Sequence, residues 1–335
     1  MKQLLLVAFL VAAIVPVQAR TLKLATLAPD GTTWMKEFRK SAALIAKQTN
    51  NRVKLKFYPG GIMGNEKSVL RKIRLGQLQG GAMTSGGLNK ISSKNQIYGL
   101  PFKFKTYDEV DYVRARMDHV ITDALEKKGY VTFGLAEGGF AYIMSKVPVE
   151  RFMALKGKKI WTPEGDAISR TLMETYDLSP TALPLTDVLT GLQTGLINVV
   201  AASPSFAIAL QWHSKVNYLT YYPVFYSIGA FIISKKAFNK ISPADQKIVR
   251  KELRSVVKKL NKINREDNKK ALLALKKYGI KFIIPDAEAE KALNDITKTL
   301  ARKLLEQGVY TPSVLKRLDE NLAQFRKNKK LTTKR

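Results

Sequence analysis

The sequence predicts an α/β protein organised on parallel β-structure in two domains, and three observations carry that prediction. Residues 157–204 alternate as strand, helix, strand, helix, strand, the order expected of a parallel sheet, where each crossover needs a helix. Ile197 to Ala201 is apolar throughout, as in a strand buried on both faces. The 335 residues, 45% of them hydrophobic, suffice for two domains with cores of their own.

Within the alternating stretch, Lys159–Thr162 is a β-branched and aromatic run that stops at Pro163, a residue without an amide donor. Asp166 is placed to cap the next helix, and Ile168, Leu172 and Tyr176 follow at helical spacing. Thr181–Leu185 reads as the next strand. Thr186 and Asp187 then open a helix that turns Val188, Leu189 and Leu192 inward, and Gly195 stands where a left-handed closing residue is needed. Ligands of such sheets sit beyond the carboxyl ends of the strands, here around Trp161–Gly165, Pro184–Asp187 and Ala202–Phe206.

Upstream, Thr21–Thr26 is a strand and Trp34, Phe38, Leu44 and Ile45 mark a helix ending near Asn50. Val53–Tyr58 is a strand, Asn65 caps a helix bearing Val69, Leu70 and Ile73, and Gly81–Thr84 runs into the polar loop Ser85–Gly87. Asp108–Lys128 reads as helical, Tyr130–Leu135 as a strand, Thr220–Tyr226 as a turn-bound aromatic loop, and Ala230–Ser234 as a further strand. Ser242, Pro243 and Asp245 form a strong helix start. Val249, Leu253, Val256, Leu260 and Ile263 give that helix one apolar stripe; unbroken to Tyr278 it measures about 55 Å, enough to lie across two domains. A coiled coil is the other reading, with few heptads behind it. Lys281–Ile284 is a last strand, Ala287–Gln307 and Pro312–Phe325 are helices, and the basic tail 326–335, with six cations and no acid, is expected to be disordered.

Met1-Lys2, the apolar run Leu4–Val17 and the small-residue pattern ending at Ala19 read as a secretory signal over residues 1–19. The run is shorter than the roughly 20 residues a membrane anchor needs, so a soluble protein of the periplasm is expected after cleavage. The chain has no cysteine, which excludes disulfides and a lipid-modified N-terminal cysteine. Its net charge is +30, and Lys2 is the only charge in the signal. The export signal and the spread of lysines over many helices argue against nucleic acid. A solvated basic coat and a surface for anionic lipid or polymer stay open.

Enzyme chemistry finds no support. His119 and His213 have no acid at ligand spacing for zinc, and neither Gly-x-Ser-x-Gly nor a phosphate-cradling glycine loop is present. Asp166 of the pair Glu164 and Asp166 reads more simply as a helix cap. Binding without turnover, with no cofactor and no metal, is the expectation.

The segments KGKKIWTPEGD and LPLTDVLTGLQTGLINVVAASP, with FYPGGIMGNE upstream, resemble the dicarboxylate-type solute receptors of TRAP (tripartite ATP-independent periplasmic) transporters over nearly the whole mature chain. The resemblance implies a two-lobed periplasmic-binding-protein fold: lobe I of 20–138 and 231–260, lobe II of 139–230 and 280–325, hinge strands between, and a long bridging helix at 242–278. Each lobe is expected to hold a separate sheet. It further implies a small-molecule ligand in the interlobe cleft and a sodium-driven TRAP membrane permease as partner. Four positions depart from the family. Trp161 stands where a carboxylate-binding arginine is usual, Ala141 at a second arginine, Leu185 at an aromatic platform, and Ala202 at an asparagine. An ionised carboxylate buried without a cation is costly, so the expected ligand is neutral or hydrophobic. Its expected contacts are Thr26, Trp34, Glu66, Ser85, Phe140, Ala141, Trp161, Leu185, Ser203, Ser205, Phe225 and Tyr226, with Glu66 at the family's carboxylate. The alternative is an organic-acid receptor using a relocated basic residue. The tryptophan-x-Pro-Glu-Gly-Asp variant is similar to a branch associated with a small helical accessory periplasmic protein.

Overall fold

The computed structural model describes residues 19–332; all but the last residue of the signal expectation falls outside that range. In chain order the elements are β1 Arg20–Ala25, α1 Thr33–Gln48, β2 Val53–Tyr58, α2 Glu66–Arg74, β3 Gly80–Thr84, α3 Ser85–Asn89, α4 Tyr107–Lys127 and β4 Tyr130–Ser145. There follow β5 Ile160–Pro163, α5 Ala167–Thr175, β6 Pro180–Leu183, α6 Val188–Thr194, β7 Val199–Ala202, α7 Pro204–Ala209 and β8 Tyr218–Ser234. The chain closes with α8 Lys235–Phe238, α9 Pro243–Lys277, β9 Lys281–Ile283, α10 Ala287–Glu306 and α11 Pro312–Thr332. Caps read from the sequence are made: the Asn65 side chain accepts from the Ser68 amide, the Asp166 side chain from the Ile168 amide, and Gly195 closes α6 at φ 72°.

Two lobes share one hydrogen-bonded ladder, ordered β2-β1-β3-β8-β4-β7-β5-β6 with β9 beside β8. The expectation of a separate sheet in each lobe is corrected here, because β4 and β8 are long enough to belong to both. The end of β8 pairs antiparallel with β3 on the lobe I side, and the end of β4 pairs with β7 on the lobe II side. Between these ends the β4–β8 register shifts three times, between Thr132 and Leu135, Glu137 and Gly139, and Ala141 and Ile143. The segment expected as a loop, Thr220–Tyr226, is therefore part of a strand. Pro223 misleads because proline is tolerated at bulges, where the ladder skips an amide, and it lies at the third register shift.

Helix α9 is continuous over 35 residues, about 52 Å at 1.5 Å per residue. Its start is fixed on lobe I: the Ser242 side chain caps it, and Arg52 grips Asp245 through two hydrogen bonds of 2.9 and 2.8 Å. Val249, Leu253, Val256, Val257 and Leu260 pack with Leu24, Phe38 and Phe231 in one core, while Leu275 joins the other core with Val216 and Leu219. The bridging reading thus holds, and the coiled coil does not. Helix α11 runs through Thr332, into the segment 326–335 expected to be disordered, whose last three residues lie outside the described range, and packs on α4: Phe325 lies 5.4 Å from the Tyr112 ring and Arg326 binds Glu109 at 2.8 Å.

Where β4 crosses between the lobes, α9 holds its backbone. Asn261 accepts from the Glu137 amide at 2.9 Å and donates to the Leu135 carbonyl, Asn264 donates to the Glu137 carbonyl, and Asn268 donates to Gly138. The Asn268 carbonyl oxygen also accepts from the Ser205 amide and hydroxyl of α7, at 3.1 and 2.9 Å. The Glu137 carboxylate, itself buried, lies between Arg114 at 2.8 Å and Arg265 at 2.7 Å. Gly139 has φ +88°, and a Cβ there would lie 2.6 Å from Asn268 Nδ2. Gly139→Ala is expected to cost about 1–3 kcal/mol through backbone strain and displacement of that amide. Gly157→Ala, at φ +74° with nothing within 4 Å of the added carbon, is the comparison: urea unfolding should show the larger loss at position 139.

Candidate functional site

Between the lobes lies a cavity of about 720 Å³. The carboxyl ends of β1, β3, β5 and β7 open onto it, as parallel β-structure dictates. Ten of the anticipated residues line it: Thr26, Trp34, Glu66, Ser85, Ala141, Trp161, Leu185, Ser203, Ser205 and Phe225. Phe140 and Tyr226 do not. Each neighbours a lining residue along a strand, and successive side chains of a strand point to opposite faces. Phe140 instead packs edge-on against Tyr107 at 5.0 Å and against Tyr226 at 5.5 Å, and the Tyr226 hydroxyl accepts from Arg114 at 3.2 Å. These two support the floor of the hinge from behind.

Lobe II contributes the main apolar surface of the cavity, beside polar Thr162, Asp166, Ser203 and Ser205. Trp161 is 8% exposed; its indole N–H donates to the Leu183 carbonyl at 3.0 Å and its ring meets Trp212 edge-on at 5.2 Å. Its polar atom is thus already satisfied within the lobe, and it offers the cavity a ring. Ala141, Leu185 and Phe225 extend that surface.

Lobe I contributes a polar group at Glu66, Thr84 and Ser85, beside apolar Leu27, Ala82 and Met83. Glu66, the first residue of α2, accepts from the Thr84 amide at 2.6 Å and the Thr84 hydroxyl at 2.9 Å. Close approach of Gly87 makes room for it: a Cβ on that glycine would lie 2.5 Å from Glu66 Oε1. Desolvation pushes the Glu66 carboxyl up from its ordinary value of 4.5, opposed by the hydrogen bonds from Thr84 and by the charge of Lys90. Asp166, lining the cavity from lobe II, is also raised by burial, against hydrogen bonds from Ser169, Ile168 and Gln96.

Two residues that sequence reading passed over complete the site. Lys90, half-buried just after α3, reaches over the cleft and donates to the Glu164 carbonyl at 3.3 Å. Gln96, 4% exposed, donates across the lobes to Asp166, and its own carbonyl oxygen is buried without a partner. Neither lies in a motif; only a lysine shortly after the Ser85–Gly87 loop could have drawn notice. Lys67 and Lys270 line the cavity too but are exposed, and no arginine lines it among the described residues. His119 sits beside Arg317 on the surface and His213 beside the Ala207 carbonyl; among the described residues no acidic or histidine cluster is gathered that could hold a metal.

A two-lobed α/β body with strands crossing between the lobes, a long helix over both and a cavity between them is an architecture that can close on a small solute. Residues 24–307 match the bacterial extracellular solute-binding protein family 7, and the chain belongs to it. It is 24% identical over 303 residues to the C4-dicarboxylate-binding periplasmic protein DctP of Rhodobacter capsulatus, covering 87% of this chain and 88% of that one. In structure it is similar to a TRAP periplasmic solute-binding protein of Xanthobacter autotrophicus with bound β-D-galacturonate, with TM-score 0.82, 21% identity and coverage of 90% and 99%. It is likewise similar to the sugar acid binding protein of Advenella mimigardefordensis in complex with galactonate, with TM-score 0.85, 17% identity and coverage of 92% and 99%. No helix among the described residues is long and apolar enough to cross a membrane.

The raised Glu66 carboxyl sets a pH dependence. A carboxyl raised on folding contributes stability that is present below its unfolded value and lost as pH rises through its folded value. Glu66→Gln removes that loss while giving up an acceptor for Thr84, so the variant should melt below the parent near pH 4, with the deficit shrinking toward pH 8. A deficit that grows with pH in thermal unfolding would contradict the assignment.

Proposed function

We propose that this chain is the extracytoplasmic receptor of a TRAP-type transporter and that its ligand is an organic acid with one anionic end and an otherwise largely apolar body. The position of Lys90 carries this reading: it is the half-buried cation of the cavity, and it already spans the two lobes. A carboxylate at the Lys90 end gains a charge-assisted donor, which the cavity lacks at Trp161 and Ala141. The relatives support an acid over a neutral ligand. The Rhodobacter protein is named for C4-dicarboxylates, and the two solved structures hold galacturonate and galactonate. The expectation of a neutral or hydrophobic ligand is therefore narrowed to the body of the ligand, which Trp161, Leu185 and Phe225 would cover at about 25 cal/mol per Å² of apolar surface. Lobe closure buries both ends together, and the ligand's higher affinity for the closed state shifts the population toward the form offered to the membrane permease.

Calorimetric titration with sugar acids, dicarboxylates and apolar-bodied monocarboxylates, each beside its neutral amide, tests this. The acids should bind and the amides should not. Lys90→Gln should weaken the preferred acid by roughly 10- to 100-fold, the value of one hydrogen bond to a charged group. Equal binding of acid and amide, unaffected at position 90, would sink the reading. Trp161→Arg should shift preference toward small dicarboxylates, measured in the same titrations.

A further inference from the structure

Ligand capture leaves the outer face of α9 unused. Lys247, Arg250, Lys251, Arg254, Ser255 and Lys258 line one shallow groove. They recur at the three- and four-residue steps of one helical face, on the side away from Val249, Leu253, Val256 and Leu260. Five cations thus occupy about 17 Å of helix. All are exposed except Arg250, whose guanidinium lies 4.7 Å over the Phe238 ring. Among the described residues none of the five is in an ion pair. The acids of this half of the helix point elsewhere, Asp245 to Arg52 and Glu252 to Gln48. Next to Phe238, Lys235, Lys236 and Lys240 are exposed as well. Like charges three and four residues apart repel along a helix, and among the described residues no carboxylate pairs with these five.

The composition of the face indicates what does. Protein interfaces deplete lysine and are anchored by buried aromatic or large apolar side chains, and this face carries none among the exposed large hydrophobics. A diffuse anionic surface needs only accessible cations, and clusters of four to eight lysines and arginines on a helix suit anionic lipid headgroups. We propose that the outer face of α9 docks on anionic phospholipid at the membrane surface. Docking there holds the receptor beside the bilayer and leaves the cleft free, since the part of α9 that lines the cavity starts at Asn264 and none of residues 247–258 reaches it.

Sedimentation with phosphatidylcholine vesicles, with and without phosphatidylglycerol, tests it on the full mature chain. Binding is expected only to the anionic vesicles and should fall steeply as salt shortens the screening length. The quadruple variant Lys247→Gln, Lys251→Gln, Arg254→Gln, Lys258→Gln should lose on the order of a hundredfold or more in partitioning. The control variant Lys215→Gln, Lys277→Gln, Lys291→Gln, Lys327→Gln removes the same charge from exposed positions elsewhere and should lose far less. Both should melt no lower than the parent, the first slightly higher because repulsion along α9 is relieved, and both should keep its ligand affinity. Equal losses in the two variants would show that net charge alone acts, and overturn the site. Absence of binding to anionic vesicles, with the first variant impaired only on reconstituted permease, would assign the face to a protein partner instead.

Discussion

The clamp on the β4 crossing is what the rest of the molecule depends on. A strand that changes register between Glu137 and Gly139 leaves backbone donors and acceptors without ladder partners, and unpaired backbone groups away from water are costly. Asn261, Asn264 and Asn268, on one face of α9, supply side-chain amides at that place. Because Asn268 also holds the start of α7 through Ser205, the same helix that repairs the irregular strand ties it to lobe II. Arg114 and Arg265 around Glu137 add a charge network at the same point. Removal of either arginine leaves a buried carboxylate less compensated, the situation in which buried ion pairs matter most. The hinge is thus a specific, hydrogen-bonded place in the fold.

From this geometry follow the contrasting walls of the cleft. Lobe I presents Glu66, Thr84 and Lys90, and lobe II presents Trp161, Leu185 and Phe225. At the middle of the lobe II wall stands an indole whose N–H is already spent on the Leu183 carbonyl. Charge and ring thus come from different lobes, which is what allows the proposed acid with an apolar body to meet both. Gln96 adds a cross-lobe bond to Asp166, and its own side-chain oxygen is buried without a partner among the described residues.

Much of the architecture was legible in the sequence, through periodicity and caps. Asn65, Asp166, Gly195 and Ser242 have local duties, set by which side chain reaches a free amide and which residue tolerates positive φ, and each performs them in the structure. The apolar stripe of α9 and the strand carboxyl ends around Trp161 and Ser203 follow from the same local rules. The long strands did not read as such, since Pro223 and the Gly138-Gly139 pair look like breaks when only the local chain is considered.

Tertiary structure alone decided three things. It decided that those breaks are bulges inside β4 and β8, because the pairing partners that bridge them are far away in sequence. It chose Ala141 over Phe140 and Phe225 over Tyr226 for the cavity, since register fixes which alternate side chain faces in. And it brought Lys90 to Glu164 and Gln96 to Asp166, contacts spanning about seventy residues with no local pattern to announce them. Helices, caps and strand ends are encoded by neighbours in the chain, whereas a cleft is encoded by the packing of lobes whose facing residues share no sequence proximity.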